Sequence, residues 1–291
     1  MPPRGGAARG LLRATRPRQW VKNLLVFAAP AAGGALDDGR TLLLTCLTFV
    51  AFVLVSAATY LLNDVADAEA DRRHPVKRDR PIAAGIVSVR LGLTAVVVCL
   101  AGGLALAYAI SWRLGLLLTA YKLVTVAYTF RFKHTPTLDI VVVASGFAVR
   151  AAAGGVATGI VLSDWFLAVT SFGSLFLVAG KRHGELVSGA DAGMRPALAH
   201  YTLEHLRFLV TTTAAVTIMS YCLWAFEHPR TSEIPWWGLS IVPFVVGIMR
   251  YGLLVDRGEG ATPEDIFIRD RGMHLVGVVW LVLFLGSVYV R

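Results

Sequence analysis

Three aspartates recur at helical spacing in the run Asn63-Asp64-Val65-Ala66-Asp67-Ala68-Glu69-Ala70-Asp71, and a cationic run, Arg72-Arg73-His74-Pro75-Val76-Lys77-Arg78-Asp79-Arg80-Pro81, follows at once. At ~100° per residue, Asp64, Asp67 and Asp71 fall within about 60° of one another on a helix, whereas Glu69 points elsewhere. Carboxylates sharing a face suit Mg²⁺, which prefers hard oxygen ligands, keeps several waters and is completed by substrate phosphates. The spacing therefore predicts a metal and diphosphate site on Asp64, Asp67 and Asp71, with Asn63 at its membrane edge. Lys77 and Arg80 would then hold phosphate oxygens. A merely solvated charged connection would need neither the register of the aspartates nor Asn63.

The elements that position these residues follow from composition. Of 291 residues, 56% are hydrophobic and only 16% charged, a balance too apolar for a soluble domain of this length. Apolar segments are predicted over 20–36, 41–63, 87–110, 112–130, 137–159, 163–181, 207–226, 236–256 and 273–290. They are long enough for helices that cross a bilayer and lack the alternation of barrel strands. The expected fold is an all-α integral membrane protein, a bundle of about nine transmembrane helices forming one domain over 1–291. Its basic N-terminal tail covers 1–19 and its aspartate-rich loop 63–86. The first segment contains Pro30, Gly33 and Gly34, and with the arginines before it mimics a secretory signal. Trp20, Lys22 and Asn23 interrupt the apolar stretch that such a signal requires.

Lysines and arginines concentrate in the tail and in the connections after the second, fourth, sixth and eighth segments, leaving Arg40, Arg113, Arg230 and Arg291 for the opposite side. The positive-inside rule then predicts a multi-pass plasma-membrane protein with a cytoplasmic N-terminus and aspartate loop and an extracytoplasmic C-terminus. The net charge of +9 fits this topology and contact with anionic membrane lipids, and no motif indicates nucleic acid. Cys46, Cys99 and Cys222 lie in apolar segments without metal-site spacing and read as packing residues.

The other cytoplasmic connections carry further chemistry. One holds Tyr128, Lys133, His134 and a helix-starting Asp139; the next holds Lys181, Arg182 and Glu185, then Asp191 and Arg195. Thr262-Pro263-Glu264-Asp265 predicts a capped start to a short surface helix ending near Arg269. Two cations fall inside spans, Lys122 and Arg150. Facing lipid would cost ~2.5 to 3.5 kcal/mol at a helix centre, so both are expected to face the bundle interior. Asp139 and Arg150 share one helix face, with Arg150 ~16 Å deeper.

Asn63-Asp64-x-x-Asp67-x-x-x-Asp71 followed by His74-Pro75-x-Lys77-x-x-Arg80-Pro81 resembles the UbiA superfamily of intramembrane prenyltransferases. Further motifs are Arg16-Pro17-Arg18-Gln19-Trp20-x-Lys22-Asn23, Arg80-Pro81-Ile82-Ala83-Ala84-Gly85, Lys133-His134, Arg150-Ala151-x-x-Gly154-Gly155 and Lys181-Arg182-x-x-Glu185. These resemble the branch of that superfamily that moves a phosphoribosyl group onto decaprenyl phosphate, and the likeness covers nearly the whole chain. It implies Mg²⁺ as cofactor, with phosphoribosyl pyrophosphate and a polyprenyl phosphate as substrates, in the synthesis of cell-wall arabinan precursors. Other superfamily members carry a second aspartate motif where this chain has Lys181, Arg182 and Glu185, which implies phosphate held directly by cations. Lys22, Lys133, His134, Arg150, Lys181 and Arg182 are the expected phosphate contacts, with Tyr128 and Glu185 in the same set. Two other functions fit the residues: prenyl transfer from a diphosphate to an aromatic or other polar acceptor, and transport of phosphorylated solutes. A transporter would show polar groups on both membrane faces, whereas here they are one-sided. A homo-oligomer is compatible with this reading.

Overall fold

A computed structural model describes residues 4–189, 196–228 and 233–290, and its regular elements are all helical among the described residues. In chain order they are α1 (Arg4–Ala14), a 3-10 helix (Pro17–Phe27), α2 (Ala28–Ala32), α3 (Gly39–Ala66), α4 (Ala68–Arg73), α5 (Val89–Ile110), α6 (Trp112–Phe130) and α7 (Leu138–Thr158). There follow α8 (Asp164–Val187), α9 (Leu203–Glu227), α10 (Trp236–Asp256), α11 (Pro263–Arg269) and α12 (Arg271–Tyr289). Six of these, α3, α5, α7, α9, α10 and α12, are long and apolar enough to cross a membrane. The other two long helices, α6 and α8, match the predicted segments 112–130 and 163–181 but carry Arg113 and Lys122, and Asp164, Lys181 and Arg182, within their length.

The predicted first segment, 20–36, is not one α-helix. It is the 3-10 helix followed by the five residues of α2. Pro30 supplies no N–H to the helix ladder, and Gly34 takes a left-handed φ of 63° soon after α2 ends. This segment also packs too tightly for larger residues: a Cβ on Gly154 would collide with the Val26 carbonyl oxygen and the Pro30 ring.

The helix starts follow capping chemistry. Asp38, Ser88, Ser163, Thr202 and Asp270 each accept a hydrogen bond from the backbone N–H three residues on, at α3, α5, α8, α9 and α12 respectively. The expected side-chain cap at Thr262 is absent: Pro263 does open α11, but the Thr262 side chain makes no cap bond, and its backbone carbonyl accepts from the Asp265 N–H at 2.9 Å.

Two compact units make up the chain, the first comprising Met1–Pro30, Leu36–Lys122 and Ala153–Ile160 and the second Ala31–Ala35, Leu123–Ala152 and Val161–Arg291. In the first, Ala14, Ala58, Leu61, Ala68, Ile82, Val87 and Val96 form a buried core that ties α1, α3, α4 and α5 around the aspartate run. In the second, Ile140, Ala144, Val178, Leu198, Tyr201 and Leu206 join α7, α8 and the start of α9. A further core of Phe176, Tyr251, Leu254, Val255, Ile266 and Met273 joins α8, α10, α11 and α12.

Arg250 grips Asp270 with two bonds, Nε to Oδ1 at 2.6 Å and Nη2 to Oδ2 at 2.9 Å. That guanidinium, aided by the Met273 N–H, holds the Asp270 carboxyl down at about 2. The depressed value means that the clamp contributes above the ordinary aspartate range and is lost as pH falls toward 2.

Candidate active site

In the first unit the chain does not carry its three aspartates on one continuous helix. The α3 helix stops at Ala66, Asp67 adopts φ −91° and ψ 2°, and α4 restarts at Ala68. This break corrects the single helical face expected of Asp64, Asp67 and Asp71. Asp64 and Asp71 are buried, at 2% and 3% exposure, while Asp67 and Glu69 are exposed and Asn63 is half-buried.

Arginines bind the two buried carboxylates together. Arg16 Nη2 donates to Asp64 Oδ1 at 2.7 Å. Arg80 Nη1 lies 3.3 Å from the same oxygen and donates to Asp71 Oδ2 at 2.6 Å. Arg80 is thus first a bridge between aspartates, and its partly exposed guanidinium retains N–H groups for phosphate. Among the described residues no three His, Cys, Asp or Glu side chains are gathered to hold a metal ion by themselves. The donor set nevertheless suits Mg²⁺, because this ion usually takes one or two carboxylates and completes its shell with water and substrate phosphates. Asp64, Asp71 and the exposed Asp67 supply hard oxygens on two consecutive helical turns.

Arg16 was absent from the candidate residues. It carries φ 55° and ψ 67°, the left-handed region, which costs a non-glycine residue ~1 to 3 kcal/mol and persists only where its surroundings hold it. Its guanidinium also lies 4.9 Å from the centre of the Tyr60 ring. The signal in the sequence is its place at the head of the Arg16-Pro17-Arg18-Gln19-Trp20 motif that carries the resemblance. Lys22 and Lys77 are both half-buried, on the 3-10 helix and in the turn after α4. His74 serves the loop, its Nδ1 accepting from the Val76 and Lys77 N–H groups at 3.2 Å each. As expected, Lys122 faces inward, donating from Nζ to Thr59 Oγ1 at 2.7 Å.

In the second unit a buried network centres on Asp139. Arg182 Nε donates to Asp139 Oδ2 at 2.6 Å, Arg182 Nη2 to Asp139 Oδ1 at 3.2 Å, and Arg182 Nη1 to Glu185 Oε2 at 2.9 Å. Tyr128 donates its hydroxyl to Asp139 Oδ1 at 2.8 Å. With Arg182 only 1% exposed and committed to two carboxylates, the direct phosphate contact expected of it is corrected. Glu185 and Tyr128 belong to the same network, which ties the end of α8 to the start of α7. Lys181 and Lys133 are half-buried and His134 is exposed. Arg150 is buried, as expected, and donates to the Gly146 carbonyl at 2.6 Å. Asp191 and Arg195 lie outside the described residues, as do Arg230 and Arg291.

Sequence reasoning also missed Tyr201, whose hydroxyl accepts from the Thr137 N–H at 2.6 Å. Thr137 has φ 67°, an outlier for a β-branched residue, three residues beyond His134. Burial pushes the Tyr201 phenol up, so it stays protonated at neutral pH.

Because Glu69 is exposed and outside the ion-paired cluster, Glu69→Gln should leave turnover within about 2-fold of wild type, as for ordinary surface changes. A loss as deep as that of an aspartate variant, measured in the same assay, would place Glu69 in the site.

The UbiA prenyltransferase family model matches residues 24–278. Decaprenyl-phosphate phosphoribosyltransferase of Mycobacterium tuberculosis is 46% identical over 278 residues, covering 94% of this chain and 92% of that protein. The enzyme of the same name from Corynebacterium glutamicum is 41% identical over 291 residues, covering 97% and 88%. Among solved structures, a UbiA homolog from Archaeoglobus fulgidus bound to GPP and Mg²⁺ superposes with a TM-score of 0.73 at 18% identity, covering 96% of this chain and 99% of that one.

Proposed function

Since the chain belongs to the UbiA prenyltransferase family, we propose that it transfers the 5-phosphoribosyl group of phosphoribosyl pyrophosphate to a polyprenyl phosphate, releasing diphosphate. The observation that carries this reading is the identity of 46% along nearly the full chain with a decaprenyl-phosphate phosphoribosyltransferase. Lys181, a cation standing where the resemblance places a second aspartate motif, supports it independently of the names.

Asp64, Asp67 and Asp71, with Asn63 beside them, would hold Mg²⁺; bound there, it supplies positive charge against the diphosphate as the bond to ribose C1 weakens. Arg16 and Arg80 fix the Asp64 and Asp71 carboxylates, so these groups need not reorganise during the reaction. Lys77 and the exposed side of Arg80 meet diphosphate oxygens. Lys22, Lys133, His134, Arg150 and Lys181 serve the lipid phosphate and the ribose 5-phosphate. The Arg182–Asp139 pair acts on substrate only through its neighbours, by fixing the end of α8 that carries Lys181.

An oxygen of the lipid phosphate attacks ribose C1, the C1–O bond to diphosphate breaks, and the diphosphate leaves with that bond's electron pair. A phosphate monoester is already anionic at neutral pH, so no general base is needed and positioning carries the rate. Purified protein given labelled phosphoribosyl pyrophosphate and polyprenyl phosphate should form labelled lipid that is lost with a chelator and restored by Mg²⁺. Undiminished product under chelation would overturn the metal's role.

The reading places the reaction on the cytoplasmic side of the plasma membrane, by the positive-inside distribution of charge. In a variant lacking Cys46, Cys99 and Cys222, a cysteine at Val290 should react with an impermeant reagent on intact cells. Labelling only after lysis would refute the orientation.

A further inference from the structure

The end of the first unit remote from the aspartates holds a depression of about 480 Å³, lined by Arg40, Thr41, Ser111, Trp112, Arg113 and Thr158 among others. Arg40 lies in the first turn of α3 and Asp64 in its last, 24 residues later, which at ~1.5 Å per residue puts the depression ~36 Å along the helix from the aspartate cluster. That is about the thickness of a bilayer core with its interface. The positive-inside rule leaves few cations on this face, yet the two described ones meet in one depression.

The other polar groups of the depression are already engaged. Ser111 Oγ accepts from the Leu114 N–H at 3.1 Å, and Thr158 Oγ1 donates to the Gly154 carbonyl at 2.8 Å. Asp38, the carboxylate nearest in sequence, caps α3 through the Thr41 N–H at 2.8 Å. Neither arginine forms a salt bridge among the described residues, and although Arg40 is electrostatically coupled to Asp38, both guanidiniums keep N–H groups for an anion. Arg113 lies 5.5 Å from the Trp112 ring centre, and Trp112 is 64% exposed, as suits an aromatic at the headgroup level. Leu43 and Leu116, exposed one turn into α3 and α6, offer apolar surface just below.

We propose that this depression binds the phosphodiester headgroup of an anionic membrane lipid, with Arg40 and Arg113 as its phosphate contacts. A guanidinium matches two phosphate oxygens at once, and the site lies where spanning helices end, at headgroup depth. A free phosphate ion offers the same oxygens but no acyl chains for Leu43 and Leu116.

The test uses the full chain in phosphatidylcholine nanodiscs with and without phosphatidylglycerol, counting retained lipid by native mass spectrometry. Arg40→Gln and Arg113→Gln should each weaken phosphatidylglycerol retention about 5-fold, and together about 25-fold, from the usual contribution of a cation near anionic lipid. Arg40→Lys with Arg113→Lys should fall between, because charge is kept and the two-pronged contact is lost. Transfer activity of the double glutamine variant in phosphatidylcholine should match wild type, which reports an intact fold. Equal phosphatidylglycerol retention by wild type and double variant would overturn the proposal. Should the double variant not fold, wild type alone decides: no preference for phosphatidylglycerol over phosphatidylcholine, or its complete displacement by millimolar inorganic phosphate, sinks the lipid site.

Discussion

Asp64→Asn and Asp67→Asn should each lower turnover at least ~100-fold, the scale expected when a charged group that serves the transition state is lost. The two variants test different parts of the cluster. Asp67 is exposed, so Asp67→Asn should leave the unfolding temperature unchanged and act on chemistry alone. Asp64 is buried, but its loss leaves Arg80 paired with Asp71 and Arg16 partly solvated. The fold should survive, with a modest fall in stability. Steady-state kinetics beside thermal unfolding would separate these effects, and wild-type turnover in Asp67→Asn would remove that residue from the metal's ligands.

The second large effect is on stability. Arg182→Ala leaves the carboxylate of Asp139 buried without its counter-charge, and breaking such a pair costs ~3 to 5 kcal/mol. Its unfolding temperature should fall far below wild type, whereas Lys181→Ala should fold normally and raise the apparent KM for one phosphorylated substrate ~10-fold, the loss of a charge-assisted hydrogen bond. Asp139→Asn added to Arg182→Ala should recover part of the loss, because no bare charge then remains. Normal stability in Arg182→Ala would show that the pair is not the strut described above. Titrating phosphoribosyl pyrophosphate and polyprenyl phosphate separately would show which of them Lys181 serves.

Much of the architecture was legible because a bilayer demands long apolar helices with internally satisfied backbones. The predicted segment 87–110 became Val89–Ile110, and 236–256 became Trp236–Asp256. The inward placement of Lys122 followed from the same cost of exposing charge to lipid. The break at Asp67 was hidden, since Ala66 to Ala70 reads as uninterrupted helix by propensity. The first segment failed where Pro30 outweighed hydropathy.

Pairings over long sequence distances were the other blind spot. Arg16 and Asp64 are 48 positions apart, and Asp139 and Arg182 are 43 apart. Nothing in local spacing separates a cation that meets a carboxylate from one that meets substrate. Lys181 and Arg182 look alike in the sequence, yet one is half-buried and the other enclosed by Asp139 and Glu185.

The most direct test of the central claim is a choice of donors. Purified protein with Mg²⁺ would be offered phosphoribosyl pyrophosphate with polyprenyl phosphate in one reaction, and polyprenyl diphosphate with an aromatic acid in another, with lipid-linked products resolved by mass spectrometry. The account predicts a polyprenyl-phosphate-linked 5-phosphoribose in the first reaction and no prenylated acid in the second; prenylation of the acid with phosphoribosyl pyrophosphate left untouched would contradict it.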